Sequence, residues 1–506
     1  MIFGTEIPQG KWCIAKLSEI TDVNPRLDKS AISDDLEVSF VPMPAVEAES
    51  GIINVSSTRK FSEVKKGYTP FREGDVLFAK ITPCMENGKM SVVPEVRNGI
   101  GFGSTEFHVL RSPQGVDAKY VYYYVSSKPF RHVAEHNMTG AVGQRRVPTA
   151  YLSDCDIPLP PSNEQHRIVA KIEELFSELD KGIENLKAAR EQLKVYRQAL
   201  LIHAFEGKLT AQWRKQNRDQ LETAAALRAR IQTVREQRYQ QQLQQWQTTG
   251  GSKPKAPKAM LPLTTEELAE LPELPEGWAW VKLGDLTWSV KDGPHFSPKY
   301  VEQGIPFISG GNVRPDGVNF ENAKFISQEL HEELCKRCKP EVGDVLYTKG
   351  GTTGIARVNT YDLDFNVWVH VAVLKLTSAV KPFYLQHALN SSFCYSQSQK
   401  YTHGVGNQDL GLTRMVNIVL AICSIEEQEE VIKVIDDKIS VIDKLELTIT
   451  TSLQQAEAMR QSILKRAFSG QLVPQDPHDE PASVLLARIR TEREQAVKPK
   501  QRRKGV

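Results

Sequence analysis

The chain has 506 residues, 40% hydrophobic and 25% charged, with a formal net charge of +2. That length is more than one hydrophobic core serves, so two or more domains are expected. No uninterrupted apolar run approaches the roughly 18 residues of a membrane helix, and a balanced charge excludes a uniformly basic or acidic protein, leaving local charge as the informative quantity.

Residues 1–160 carry short β-like runs, turn signals and scattered aromatics, an α+β pattern. The segment opens with "IPQGKWCIAKLSEI" from Ile7. At Glu73 to Lys80, "EGDVLFAK" places a Gly-Asp turn at Gly74 before an apolar strand that ends in a lysine. The polar loop that follows, "ITPCMENGK", closes on Lys89; such a loop suits backbone amides and side chains brought against phosphate or base edges. A second polar loop, "TGAVGQRRVPTAYL" from Thr139, precedes a helical run. Candidate DNA-contacting residues are Lys80, Thr82, Asn87, Lys89, Gln144, Arg145 and Arg146, because Gln and Arg pair bidentately with adenine and guanine edges. A plain surface loop also accounts for each of these loops taken alone.

From Ser162, "SNEQHRIVAKIEELF" offers a polar start with an acid and an amide in the first turn, the signature of a helix N-terminus. Apolar residues then recur on a heptad in two interleaved series, Ile168, Leu175, Gly182, Ala189, Tyr196 and Ile172, Leu179, Leu186, Leu193, Leu200. Over residues 161–210 the pattern predicts a helix of about 43 residues, about 65 Å long at 1.5 Å per residue. That is a spacer rather than a domain core, although an amphipathic helix packed on its own domain is the alternative. "HAFEGKLTAQ" closes it, with Gly207 as the stop residue. Residues 211–273 form a basic connector, grading into a Gln-, Gly-, Lys- and Pro-rich linker from about Gln240 to Leu263.

Residues 274–422 form a second module that repeats the landmarks of the first: "LPEGWAWVKLGDL" from Leu274, "VGDVLYTK" at Val342 to Lys349, "GGTTGIAR" ending at Arg357, and "THGVGNQDLGLTRM" from Thr402. The matching candidates for DNA contact are Lys349, Thr352, Thr353, Asn407, Gln408 and Arg414. Cys335 and Cys338 make a lone CxxC beside His331, half of a zinc site, so no metal is assigned. The seven scattered cysteines, with no charged-then-apolar leader at Met1 to Gly10, point to a reducing cytoplasm.

A second spacer helix is expected over 423–472. Glu164 to Gln212 recurs without a gap at Glu427 to Gln475, an offset of 263, with about 15 of 49 pairs identical. The offset carries the heptad to Val431, Lys438, Leu445, Ser452, Met459 and to Ile435, Ile442, Ile449, Ala456, Ile463, with Lys438, Ser452 and Ala456 the weak positions. Since both copies keep one register, the natural partner of each helix is the other. The expected coiled-coil interface is Ile168, Ile172, Leu175, Leu179, Leu186, Leu193 and Leu200 against Val431, Ile435, Ile442, Leu445, Ile449 and Ile463. Gly470 ends the second copy, and a basic tail, 473–506, follows. The tail echoes the connector: "ARIQTVREQ" from Ala229 returns as "ARIRTEREQ" from Ala487. A solvated linker and a frayed tail explain both stretches as well as phosphate contact does.

Catalytic signatures are missing. There is no GxxxxGK[ST] loop, HExxH, GxSxG or Asn/Asp-Pro-Pro-aromatic motif, and "ENGKM" at Glu86 to Met90 lacks the hydroxyl and spacing of a phosphate loop. The chain is therefore expected not to be an enzyme. Alternatives in other classes are a non-catalytic coiled-coil adaptor binding protein partners and a fused enzyme carrying its own catalysis, the latter opposed by the missing motifs.

The ensemble of "PLPPSNEQHRIVAKIEELF" with "QALLIHAFEGKLT", "SIEEQEEVIKVID" with "RQSILKRAFSGQL", and "GDVLFAKITPCMENGK" resembles the specificity subunit of Type I restriction-modification systems, over nearly the whole chain. The resemblance implies an α+β protein with a pseudo-twofold internal repeat: two α/β target recognition domains joined by two long antiparallel coiled-coil helices. Ile7 to about Leu159 would read one half of a split DNA site and Leu274 to about Ala421 the other. It implies double-stranded DNA, two modification (methyltransferase) subunits and, in some assemblies, ATP-dependent restriction subunits as partners. S-adenosylmethionine, ATP and Mg would belong to those subunits and no cofactor to this chain. The second module departs in having "GGTTG" where the first has "PCMENG", and in "CSIEEQ", which lacks the prolines that precede the first helix.

Overall fold

The structure, a computed structural model, describes residues 10–256, 260–404 and 408–497. The elements that matter below are strands β1 (Val76–Ala79) and β2 (Phe107–Arg111), helices α1 (Ser162–Phe205) and α2 (Ala224–Thr249), strands β3 (Val345–Thr348) and β4 (Val371–Leu376), and helices α3 (Ile425–Phe468) and α4 (Ala482–Val497). Two compact units divide the chain, Met1–Lys187 with Thr450–Val506, and Ala188–Ile449. Each unit therefore contains one module and a segment of both long helices.

In the first unit β1, "VLFA", is buried along its whole length, as an apolar run covered on both faces must be. It lies in an antiparallel sheet ordered Asp22–Val23, β2, β1, Met90–Val92. A second sheet is ordered Thr58–Lys60, Glu37–Val41, Gly101–Gly103, Thr69–Phe71, with its middle pair parallel. Gly101 is needed there, since a Cβ would stand 2.1 Å from the Phe71 ring. Cys13–Lys16 pairs antiparallel with Asp156–Leu159 and ties the ends of the module together.

The second unit repeats this plan. Thr287–Asp292, β4, β3 and Ala356–Val358 form its four-stranded sheet in the equivalent order. Lys324–Ile326, Ile305–Ile308 and Asn366–Val367 form the smaller one, again with a parallel pair. Ala279–Lys282 pairs with Val419–Ile422 as the closing ribbon. Two modules whose sequences have drifted far apart thus keep one topology.

The helices α1 and α3 are each 44 residues long and uninterrupted. Helix α1 begins at Ser162 itself, with Pro161 ahead of it accepting from the Gln165 N–H at 3.0 Å. Both helices end on a left-handed glycine, Gly207 (φ +68°) and Gly470 (φ +69°). The residue after each glycine donates back across the last turn, Lys208 to His203 at 2.9 Å and Gln471 to Arg466 at 2.8 Å.

Within the first unit Ile168 and Ile172 share a core with Ile463, Ala467 and Phe468, and Arg460 ion-pairs with Asp180. Within the second, Leu201 and Phe205 share a core with Val431 and Ile435, and Arg197 pairs with Asp443 and Glu446. In each unit numbering rises along one helix as it falls along the other, so the segments run antiparallel. Of the expected interface, Ile168, Ile172, Leu200, Val431, Ile435, Ile442, Ile449 and Ile463 are buried, and Leu175, Leu179, Leu186 and Leu193 are half-buried. Leu445 is a correction, at 46% exposed. Contact between two helices covers a narrow stripe. On α3 that stripe is the series Ile435, Ile442, Ile449, Ala456 and Ile463, which turns Lys438, Leu445 and Met459 outward.

The connector and the tail also differ from a solvated linker and a frayed end. Helix α2 runs to Thr249, well past Gln240, and buries Leu227 and Ile231 with Leu283 and Leu286 of the second unit. Its Arg235 donates to the carbonyls of Gly284 and, at 3.0 Å, Thr287. Helix α4 buries Leu485 and Ile489 with Leu17 and Ile20 of the first unit. Arg493 donates to the Ser18 carbonyl and to Asp22 at 2.9 Å, and Arg490 pairs with Glu19 at 2.5 Å. Leu227, Ile231 and Arg235 recur as Leu485, Ile489 and Arg493, all 258 positions on. The repeated "ARI" segment is therefore a docking strap, used once on each module.

Candidate nucleic-acid interface

In the first module β1 runs directly into Lys80, and the two polar loops meet there. The Lys80 carbonyl accepts from the Val147 N–H at 2.8 Å, Ile81 pairs with Arg146, and the Thr82 N–H donates to the Arg145 carbonyl at 3.0 Å. In the second module the Lys349 carbonyl accepts from the Leu410 N–H at 2.8 Å, Gly350 pairs with Asp409, and the Gly351 N–H donates to the Gln408 carbonyl at 3.3 Å. The neighbouring strand contributes equally: the Lys80 N–H donates to the Glu106 carbonyl and the Lys349 N–H to the His370 carbonyl, both at 2.9 Å. The second loop of the first module is a small hairpin closed by mutual bonds between Thr139 and Arg146 at 2.9 and 2.8 Å, and in the second module His403 and Asp409 make the matching mutual bonds at 3.1 and 2.9 Å. One backbone scaffold thus presents different side chains in the two modules.

Among the candidates, Asn87, Gln144, Thr352 and Gln408 are exposed, while Lys80, Thr82 and Arg145 are half-buried. Arg145 stands 3.9 Å from Glu135, a loose ion pair, and the Thr82 hydroxyl faces the Met138 sulfur at 3.8 Å. Asn407 lies outside the described residues.

Five candidates are bonded to other residues of the chain. Lys89 donates to the carbonyls of Val46 (2.8 Å) and Met43 (3.4 Å), fastening its loop. Arg146 grips Glu106 through two bonds of 2.9 and 2.8 Å and also holds the Gln144 carbonyl at 2.9 Å. Lys349, 3% exposed, lies between Asp409 (2.7 Å) and Asp292 (3.4 Å). Thr353, 4% exposed, accepts from the Gln399 amide at 3.0 Å. Arg414 donates to the carbonyls of Tyr401 and Leu410 at 2.9 Å and of Asp409 at 2.8 Å. The cause is common to the two lysines and two arginines: a tight polar loop leaves main-chain and side-chain groups that need partners, and a long donor satisfies several at once.

Electrostatics divides the first site in two. Hydrogen bonds from Arg146 hold the Glu106 carboxyl below the ordinary range, so that pair is a charge-neutral brace at the loop junction. Burial pulls the Lys80 ammonium below its usual value, with Arg146 pushing the same way and Glu106 opposing.

The sequence reading missed the two clamps that fix each helix to its module. The Gln165 side chain accepts from the Asp117 N–H at 2.8 Å and donates to the carbonyls of Pro160 (3.0 Å) and Gly115 (3.5 Å). Gln428 does the same with Lys381 (2.8 Å), Cys423 (2.9 Å) and Ala379 (3.1 Å). Beside them the buried carboxylates Glu164 and Glu427 accept from Trp12 at 3.0 Å and Thr210 at 2.6 Å. The available signal was the Glu-Gln pair itself, identical in both copies.

The family model for the Type I restriction modification DNA specificity domain matches residues 9–188 and again 275–455, one match beginning at each module and running into its long helix. The chain belongs to this family. The specificity-domain chain is 40% identical over 176 residues to the EcoAI specificity subunit of Escherichia coli, covering 35% of this chain and 29% of that protein. It is 25% identical over 369 residues to the EcoBI specificity subunit of the same species, covering 70% and 68%. The match to the EcoAI subunit thus spans less than a third of that relative's length. In fold, the specificity-domain chain is similar to the HsdS subunit from Thermoanaerobacter tengcongensis, with a TM-score of 0.56 at 18% identity over 93% of this chain and 99% of that one. A chain solved in work on complex assembly and conformational transition of the type I R-M system gives 0.64 at 18% identity, over 92% and 100%. Among the described residues no helix is long and apolar enough to cross a membrane.

Proposed function

We propose that this chain is the sequence-reading subunit of a cytoplasmic restriction-modification assembly, non-catalytic itself, that recognises a bipartite asymmetric DNA site and directs adenine methylation and restriction by partner subunits. The observation that carries this reading is the recurrence, in two otherwise divergent modules, of one loop junction whose backbone is kept and whose side chains differ. A scaffold that holds position while its outward groups vary is what sequence recognition requires, since phosphate contacts orient and base-edge contacts specify. Two such readers in one chain imply two half-sites, and different outward groups imply that the halves differ. The paired helices supply the separation and a surface for two modification subunits. Those subunits would bring S-adenosylmethionine, and any restriction subunits ATP and Mg.

The test is to express the chain with its modification subunits in a host free of other adenine methylation and to map the methylated adenines. Two short, unlike blocks separated by a fixed stretch of arbitrary sequence are expected. One continuous motif, or no methylation despite an assembled complex, contradicts the proposal; the latter, with protein partners still bound, points instead to an adaptor.

A further inference from the structure

Three backbone positions meet at the loop junction of each module, and their side chains divide the charges differently. In the first module the three are Lys80, Glu106 and Arg146; in the second they are Lys349, His370 and Asp409, matched through the hydrogen bonds that the two junctions share. Each trio makes one ion pair. In the second module it is Lys349 with Asp409, the lysine being sunk to 3% exposure and reinforced by Asp292. In the first module it is Arg146 with Glu106, bidentate, which leaves the strand-end lysine as the remaining member. The Lys80 ammonium has no hydrogen bond or ion pair among the described residues, although its side chain is half-buried. The remaining member in the second module is the His370 imidazole, tilted against the Trp368 ring with centroids 4.8 Å apart.

A lysine partly withdrawn from water, its one neighbouring acid Glu106 already bound to Arg146, costs stability that no direct bond offsets. Its place at the junction supplies the reason. The exposed donors Asn87 and Gln144 belong to the two loops that join at Lys80, and Glu106, the acid beside it, is already held by Arg146. No acceptor among the described residues bonds the ammonium, and DNA offers acceptors at guanine O6 and N7 and at phosphate oxygens. We propose that Lys80 donates directly to a DNA acceptor in the half-site of the first module, whereas its counterpart Lys349 has become an internal brace, so the two modules read with different chemistry at one backbone position. This rests on the DNA-reading function proposed above.

The experiment uses the full chain in complex with its modification subunits, as wild type and as Lys80→Met, Lys80→Arg and Lys349→Met. Binding is measured to a duplex carrying the mapped site, to variants changed at each base pair of the first half-site, and to random duplex, over a range of salt. For Lys80→Met, affinity for the mapped site is expected to fall about ten- to a hundredfold, with a melting temperature equal to or above that of wild type; Lys80→Arg should recover much of the loss. A loss concentrated at one base pair identifies a base acceptor. A loss equal on all duplexes, with the salt slope reduced by about one, identifies a phosphate oxygen. Lys349→Met should instead lower the melting temperature. The proposal is overturned if Lys80→Met binds every duplex as wild type does, or if it melts early as Lys349→Met does. A wild-type complex that does not prefer the mapped site would refute the parent reading rather than this one.

Discussion

Glu106 and Arg146 show how a residue chosen for its chemistry can be right in kind and different in use. Arginine after a glycine-rich turn is the type that reads guanine, yet Arg146 folds back onto Glu106 in a bidentate pair, while Arg145 makes only a loose 3.9 Å contact with Glu135 and Gln144 is exposed. Nothing in "GQRR" distinguishes the two arginines; their roles follow from the pairing of Ile81 with Arg146, a long-range register that one sequence does not disclose. The brace has a testable pH dependence. Because Arg146 lowers the Glu106 carboxyl from its ordinary 4.5, the carboxylate stabilises the fold above that value and loses its contribution as pH falls through the lowered one. Glu106→Gln should melt below wild type at pH 7, with the difference shrinking below about pH 4.5; a gap constant down to pH 3 would refute it. For the outward pair, Gln144→Ala or Arg145→Ala should relax or abolish recognition of the first half-site by about 1 to 3 kcal/mol. Competition between cognate and single-substituted duplexes measures this, and a loss equal on all sequences would place both residues on phosphate only.

At the level of elements, the long helices were the most legible part of the chain. Their heptad pattern, terminal glycines and repeat at a fixed offset all derive from local spacing, and local spacing survives in a single sequence. The modules were legible only as α+β, because strand partners such as Glu37–Val41 and Gly101–Gly103 lie some 60 residues apart. Leu445 was misplaced because periodicity identifies a hydrophobic face but not how much of it one partner helix covers. The straps α2 and α4 were visible as an echo, yet their basic, Gln-rich composition concealed the few buried positions that dock them. The Glu-Gln pair at the start of the first long helix was similarly read as part of a cap, when it and its repeat in the second are clamps between helix and module. Gln165→Ala removes an acceptor for a main-chain N–H and a donor to buried carbonyls, a cost of about 1 to 3 kcal/mol. Gln428→Ala should cost about the same, since it breaks the equivalent bonds. Urea midpoints measure both; a loss within error of zero at either site would show that water replaces the clamp.

For the whole molecule, the proposed function makes the internal repeat the feature that joins two DNA readers in one chain. Each 44-residue helix has residues in both compact units; under the proposed function, helix length sets the gap between half-sites and their phase on the duplex. One heptad added to each helix preserves the seam and lengthens each rod by about 10 Å, or about three base pairs at 3.4 Å each. The decisive measurement is therefore the map of methylated sites produced by a chain carrying one extra heptad in both α1 and α3, compared with that of the original. The account predicts the same two recognition blocks separated by a longer gap. Unchanged spacing between the blocks would contradict it.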